Sequence, residues 1–314
     1  MLSRRNIRIK VLQQLYAFQQ QEQLSLPNSI KSLKENFNNI YDIYYFCLEF
    51  LSDFNTYLES EREIETQKYF PSKTHILKTH VIDKLAFHTA LEESEDFRLC
   101  KSKSKHNWQH HGNLFDKLFE DLVQYDFFIE YNIFDEPSLD AQKTFLTNLY
   151  ELLFNEFDLF DSILSDEYVL WEDDSADVLQ SIIKTIDKFY EKEKLSIEKP
   201  AIKQLEAMQF GEELLSKCVV EKDYLDDLIS KNTSNWDSER LTIMDIIMLR
   251  MALSEFLYFE TIPPKATINE YLDIAKVYST PKSHVFLNGV LDKIRKLLVE
   301  DGKLIKSGIG LKND

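Results

Sequence analysis

Glycine and proline are scarce in this chain, whose 314 residues include only 6 Gly and 7 Pro. Both residues interrupt helices and supply tight turns, so their scarcity disfavours a turn-rich β fold and favours long helices. Little glycine also leaves little scope for a loop that cradles phosphate groups, and no GxGxxG, GxxxxGK[ST], HExxH, GxSxG or CxxC pattern occurs. We therefore predict an all-α protein that has no catalytic residues and needs no cofactor.

Cysteine is also rare, and the three residues present, Cys47, Cys100 and Cys218, lie far apart. Their odd number and wide spacing predict reduced thiols and not a disulfide framework. His106 and His110 lie four residues apart, but in a segment rich in Lys and Ser that spacing is not enforced, so we expect no metal site. No uncharged apolar run approaches the roughly 20 residues that span a bilayer, and no apolar signal core follows the first residues. We interpret the chain as a cytoplasmic protein.

The formal net charge of -17 argues against a nucleic-acid partner, but the charge is unevenly distributed. Residues 1–21 contain Arg4, Arg5, Arg8 and Lys10 and no acid. Residues 22–199 contain 18 basic and 36 acidic side chains, whereas residues 200–314 contain 15 and 18. Cations at the start of a helix oppose the helix dipole, so their presence at the start of the chain favours an anionic partner.

Apolar residues recur every three to four positions over most of the chain, which predicts helices. The predicted helical segments are 3–21, 29–66, 72–98, 114–132, 139–166, 174–195, 200–230 (with a break near Gly211 left open), 242–259, 264–278 and 283–299. Thr242 and Asp245 have the spacing of a helix capping box. Residues 101–113, KSKSKHNWQHHGN, have no apolar period and are predicted to form an exposed loop.

Three C-terminal stretches are unusually specific: RLTIMDIIMLRMALSEF at 240–256, IPPKATINEYLDIAK at 262–276 and KSHVFLNGVLDK at 282–293. They closely resemble the NusB family of transcription antitermination factors. The N-terminal segment, with its arginines at residues 4–8, also resembles the first helix of that family, which contains an arginine cluster. The resemblance implies an all-α, NusB-like helical bundle of two small subdomains with an inserted additional helical region. The implied division is a first helix at 1–21, an acidic helical insertion at 22–199, the remainder of the NusB-like domain at 200–300 and a flexible tail at 301–314.

The resemblance also implies a function: binding of a boxA-like element in ribosomal operon leader RNA, together with the ribosomal protein NusE, within the RNA polymerase antitermination complex. The implied partner-binding residues are Glu239 and Asp245, although Asp245 fits a helix-capping role equally well. Position 282 departs from the family pattern, because a Lys stands where family members have an acid. The implied RNA-binding residues are Arg4, Arg5, Arg8, Tyr16, Lys282, Ser283 and Phe286.

Two other functions remain open at this point. The acidic insertion is compatible with a protein-interaction scaffold that binds a basic partner or mimics nucleic acid. A NusB-like fold is also used as the RNA-binding part of rRNA methyltransferases, but the enzyme needs a further α/β domain with a glycine-rich cofactor loop. No such domain follows the last predicted helix in this sequence. Antitermination is therefore the function that the sequence favours.

Overall fold

A computed structural model of the protein describes residues 3–21, 24–104, 106–199, 202–233 and 242–307. Every regular element within these residues is a helix, which confirms the predicted all-α class. The α-helices are α1 (Arg4–Gln20), α2 (Leu26–Thr66), α3 (Lys73–Lys78), α4 (Ala86–Glu93), α5 (Glu95–Lys103), α6 (Gly112–Leu122), α7 (Asp126–Asn132), α8 (Leu139–Asn155), α9 (Asp158–Glu167), α10 (Trp171–Lys192), α11 (Ile202–Val220), α12 (Lys222–Thr233), α13 (Ile243–Tyr258), α14 (Pro264–Tyr278) and α15 (Ser283–Glu300). A short 3-10 helix, Trp108–His111, precedes α6.

The chain divides into two compact units. The central unit comprises residues 38–200, and the terminal unit comprises residues 2–37 together with 201–314. The start of α2 therefore belongs to the terminal unit, whereas the sequence placed everything from residue 22 in the insertion. The assignment of residues 22–199 to an insertion remains a prediction.

In the terminal unit, α13 is the central helix. Its residues are buried on nearly all sides, and α1, α11, α12, α14 and α15 pack around it. A helix that is apolar all round is stable only when other elements cover it completely. Its start is the predicted capping box. The Thr242 hydroxyl accepts a hydrogen bond from the backbone amide of Asp245, and the Asp245 carboxylate accepts one from the backbone amide of Thr242. Residues 242–256 of the family-like segment thus form the core of this unit.

Helix α11 runs without a break through Gly211 and ends instead at Val220. A Cβ atom at position 211 would lie 2.8 Å from both Ile7 Cγ2 and Phe37 Cζ, which are fully buried. The missing side chain therefore permits close packing of α11 against α1 and the start of α2. Glycine here has a packing role, and its cost in helix propensity, about 1 kcal/mol, is offset by that packing.

The segment after α15 returns to α13 over residues 301–307. The Lys306 ammonium donates hydrogen bonds to the carbonyl oxygens of Glu255 and Phe259, each at 2.8 Å, and the Ser307 amide donates to the Glu260 carbonyl. Burial lowers the pKa of Lys306 to about 8, against the opposing effect of Glu255. A cation at these carbonyls complements the C-terminal end of the helix dipole. This part of the expected flexible tail is therefore anchored.

Four predictions of local structure in the central unit are wrong. The single helices predicted over 114–132 and 139–166 are each divided, into α6 and α7 and into α8 and α9. The segment 72–98 is not one helix but α3, a turn and α4, followed by the start of α5. The segment 101–113 is not an exposed loop, because Trp108 is fully buried. Its ring stacks on Phe46 at 4.1 Å and on Phe160 at 5.1 Å between ring centroids, and its Nε1 donates to the Phe46 carbonyl at 2.7 Å. A single large aromatic residue thus anchors to the core a segment that has no apolar period and whose other described residues are mostly exposed.

A buried carboxylate, Glu49, lies in α2 within the central unit and is 5% exposed. Burial is the main cause that raises the pKa of Glu49 to about 7. The neighbouring Asp53 carboxylate acts in the same direction, whereas Lys101 opposes the shift. The folded state therefore binds a proton at Glu49 more strongly than the unfolded chain does. The stabilisation is complete below about pH 4.5 and is lost as the pH rises towards 7.

We expect Glu49→Gln to be more stable than the parent at pH 8, by on the order of 3 kcal/mol, because the pKa of Glu49 rises from 4.5 to about 7 and one pKa unit corresponds to about 1.4 kcal/mol. The difference should disappear near pH 4. Urea unfolding at both pH values measures it. Glu63→Gln, an exposed change on the same helix, is the control and should have no effect at either pH. Equal stability of Glu49→Gln and the parent at pH 8 would contradict the prediction.

Candidate RNA interface

The start of α1 exposes positive charge at a helix N-terminus. Ser3 caps the helix by accepting the Asn6 amide at 3.2 Å, and the first turn contains no acidic residue. Arg4 is exposed, and its guanidinium carbon lies 5.6 Å from the centroid of the Phe210 ring. Cations here oppose the helix dipole by a few tenths to about 1 kcal/mol each. An anionic ligand would relieve that cost.

Arg5 is partly engaged with α14. Its side chain is 47% exposed, and it donates to Glu270 and Asp273, each at 2.9 Å. The hydrogen bond to Glu270 is the largest cause of its raised pKa. Ion pairs at this exposure contribute little to stability, about 0–1 kcal/mol. Arg5 can therefore exchange a carboxylate for a phosphate at small cost.

Arg8 differs from the other two arginines because it is buried. Its Nε and Nη2 atoms donate to the two oxygens of Glu255 at 2.7 and 2.8 Å, and Glu255 is fully buried. Thr267 and Tyr271 also donate to this carboxylate, at 3.0 and 2.7 Å. Burial lowers the pKa of Arg8, but the bidentate pair with Glu255 outweighs it and holds the pKa above its usual range. The pair fixes α1 to α13.

The remaining predicted RNA-binding residues lie on α1 and at the start of α15. Tyr16 is 42% exposed, Lys282 is exposed and Phe286 is half-buried. Helix α15 packs along α14, the helix whose Glu270 and Asp273 bind Arg5. The two groups of predicted residues are therefore both linked to α14, α1 through the ion pairs of Arg5 and α15 through helix packing.

Ser283 and Asp245 lie in one internal network of hydrogen bonds. Ser283 is 3% exposed, and its hydroxyl is within hydrogen-bond distance of Ser279 and Thr280, at 2.9 and 2.8 Å. Asp245 is 1% exposed and accepts from Ser279 Oγ at 2.8 Å in addition to capping α13. Both side chains join the start of α13 to the turn before α15. The other predicted partner-binding residue, Glu239, lies outside the described residues.

Sequence reasoning did not find the acids that bind the arginines. The Glu255 carboxylate accepts hydrogen bonds from Arg8, which is 247 positions away in the sequence. Glu270 and Asp273 form ion pairs with Arg5 across a still larger separation in sequence. One signal was present: Glu255 is an acid within the apolar run IIMLRMALSEF, where a buried carboxylate needs a cationic partner. Nothing in the sequence indicated which of the arginines would be that partner.

These features define an all-α domain with a cationic helix start anchored on a buried central helix. The sequence profile of the NusB family matches residues 173–296, so the match begins in α10 and extends through most of α15. This part of the chain is therefore similar to the NusB family, and the resemblance found in the sequence is confirmed.

Individual relatives agree with the profile. The chain is 42% identical over 102 residues to the transcription antitermination protein NusB of Salinibacter ruber, covering 32% of this chain and 64% of the relative. It is 36% identical over 115 residues to that of Chloroherpeton thalassium (37% and 54%) and 37% identical over 90 residues to that of Natranaerobius thermophilus (29% and 65%). The chain thus spans less than two thirds of each relative's length.

No solved structure matches the chain. Among the described residues, no helix is both long and apolar enough to cross a membrane.

Proposed function

We propose that the chain is a non-catalytic RNA-binding factor in transcription antitermination. It binds a boxA-like element of ribosomal operon leader RNA together with the ribosomal protein NusE and acts within the RNA polymerase antitermination complex. The relatives' identity as transcription antitermination proteins supports the antitermination part of this proposal. The observation that carries the RNA part is the start of α1, where arginines without a neighbouring acid in the first turn are held in place by the buried Arg8–Glu255 pair.

In this proposal the predicted residues divide into two roles. Arg4 and Lys282 are exposed cations that meet phosphates directly, and Arg5 joins them by releasing Glu270 and Asp273. The exposed rings, Tyr16 and the accessible part of Phe286, stack on unpaired bases, for about 1–3 kcal/mol per base. The buried members of the set, Arg8, Ser283 and Asp245, hold the helices that carry these side chains.

The RNA interface is tested by a salt titration with the double variant Arg4→Ala, Lys282→Ala. Each phosphate contact to single-stranded RNA contributes a slope of about -0.7 to log K against log salt. Loss of two contacts should flatten the slope by about 1.4 and weaken binding to a boxA-like RNA about tenfold or more at low salt. Fluorescence anisotropy with a labelled RNA measures both quantities.

A matched control is Lys231→Ala with Lys296→Ala, which removes two exposed lysines of the same unit, 69% and 64% exposed. This variant should keep the parental slope to within a few tenths. If both double variants weaken RNA binding equally, the attraction is a diffuse effect of net charge and the proposed interface is wrong.

The partner is tested separately, in a transcription assay with purified RNA polymerase and a terminator downstream of a boxA-like sequence. Addition of the chain with NusE should increase read-through on this template and not on one with a scrambled boxA. A chain that binds the RNA but gives no read-through with NusE would contradict the antitermination role while leaving the RNA interface intact.

A further inference from the structure

An exposed apolar patch lies at the end of α7 in the central unit. Ile129, Ile133 and Phe134, which define it, are 47%, 72% and 53% exposed. Ile129 and Ile133 are four residues apart and share one face of the helix, while Phe128 and Tyr131 on the other face are buried, with Tyr131 stacked on Phe145 of α8. The core contacts of α7 are therefore made without the three residues of the patch.

The backbone around this patch is anchored. Lys84 Nζ donates to the carbonyl of Phe134 at 2.9 Å, and Gln142 Nε2 donates to the carbonyl of Pro137 at 3.0 Å. The Gln142 side-chain oxygen in turn accepts the Ala86 amide at 2.8 Å. Hydrogen bonds from Lys84, just before α4, and from Gln142 of α8 thus hold the backbone that carries the exposed side chains. Little ordering of this backbone is therefore needed before a partner binds.

Carboxylates surround the patch. Asp126, Glu130, Asp135 and Glu136 are all exposed, and within the described part of the chain none of them has a cationic partner within 4 Å. Other acids of this unit are neutralised locally, as Asp187 is by Lys143 at 2.8 Å. The ammonium of Lys84, the nearby cation, is bound to a carbonyl. The apolar patch therefore lies in a negative field.

We infer that this patch, Ile129, Ile133 and Phe134 with its rim of carboxylates, is a docking surface for a basic, amphipathic helix of another protein. Apolar side chains at i and i+4 match the apolar face of such a helix, and the carboxylates match its lysines and arginines. RNA and an anionic membrane are repelled by the same carboxylates. A second copy of this chain, docked symmetrically, would place carboxylates against carboxylates.

The test uses the full chain and a labelled 18-residue peptide of Leu and Lys with a helical apolar face, beside a scrambled peptide of identical composition. The chain should bind the amphipathic peptide at least tenfold more tightly than the scrambled one in fluorescence anisotropy. Ile133→Ser with Phe134→Ser should abolish this preference. Asp135→Asn with Glu136→Gln should weaken binding several-fold and flatten its salt dependence.

The matched control is Tyr69→Ser with Phe70→Ser, which removes two rings of the same unit that are 91% and 85% exposed. The control should retain the full preference, and all variants should keep the parental melting temperature and RNA affinity. The inference is overturned if the parent shows no preference, if the control loses it equally, or if the patch variant changes self-association in sedimentation and not peptide binding. None of these outcomes affects the proposed RNA interface.

Discussion

Replacement of Arg8 by Ala is expected to destabilise the terminal unit by about 3–5 kcal/mol, because it leaves the fully buried Glu255 carboxylate without its cation. The remaining donors, Thr267 and Tyr271, satisfy hydrogen bonds but carry no charge. Hydrogen exchange of the α13 amides measures the loss locally, since this helix is the centre of the unit. Urea unfolding followed by circular dichroism measures it globally.

Two variants separate the charge effect from loss of packing. Arg8→Met with Glu255→Gln removes both charges and keeps an acceptor oxygen for one of the Thr267 and Tyr271 hydroxyls, while the amide NH2 can donate to the other, so it should recover most of the stability. Arg5→Ala, which breaks exposed ion pairs of the same helix, should cost no more than about 1 kcal/mol. A similar small loss for Arg8→Ala and Arg5→Ala would show that the Arg8–Glu255 pair does not anchor α1.

Replacement of Trp108 by Ala is expected to destabilise the central unit by about 3–5 kcal/mol, since it empties a fully buried site between Phe46 and Phe160. It also leaves the Phe46 carbonyl without its indole donor. Urea unfolding followed by circular dichroism measures the change.

The conservative variant Trp108→Phe keeps a stacking ring but loses the hydrogen bond, so it should cost about 1–2 kcal/mol from the orphaned carbonyl plus a smaller packing loss. Substitution of an exposed neighbour, Gln109→Ala, serves as the control and should stay within about 0.5 kcal/mol. If Trp108→Ala behaves like Gln109→Ala, the segment 101–113 is the exposed loop that its composition indicates.

Local signals in the sequence were sufficient for the C-terminal helices. The capping box of Thr242 and Asp245 places the start of α13 correctly, and Pro263–Pro264 separates it from α14. These signals work because a cap and a proline act through backbone groups only a few residues away. The break near Gly211 that the sequence left open does not occur, and the contacts that favour glycine there come from Ile7 and Phe37, which are distant in sequence.

The candidate site shows the same limit. Three arginines lie in one short segment but have different environments. Arg4 is exposed, Arg5 forms ion pairs at the surface and Arg8 is buried. Helical spacing distinguishes the faces of α1 but does not say which face meets Glu255. The partner-binding reading of Asp245 was equally undetermined, because only burial shows that its carboxylate is committed to Thr242 and Ser279.

By itself the sequence determined the all-α class, the positions of the C-terminal helices and the NusB-family resemblance, since each depends on residue types at short, regular spacing. The tertiary structure alone decided that Arg8 anchors α1, that Trp108 is a core residue and that Ile133 and Phe134 remain exposed among carboxylates. The physical reason is that burial and charge pairing depend on neighbours brought together from distant parts of the chain, and no local pattern specifies those neighbours.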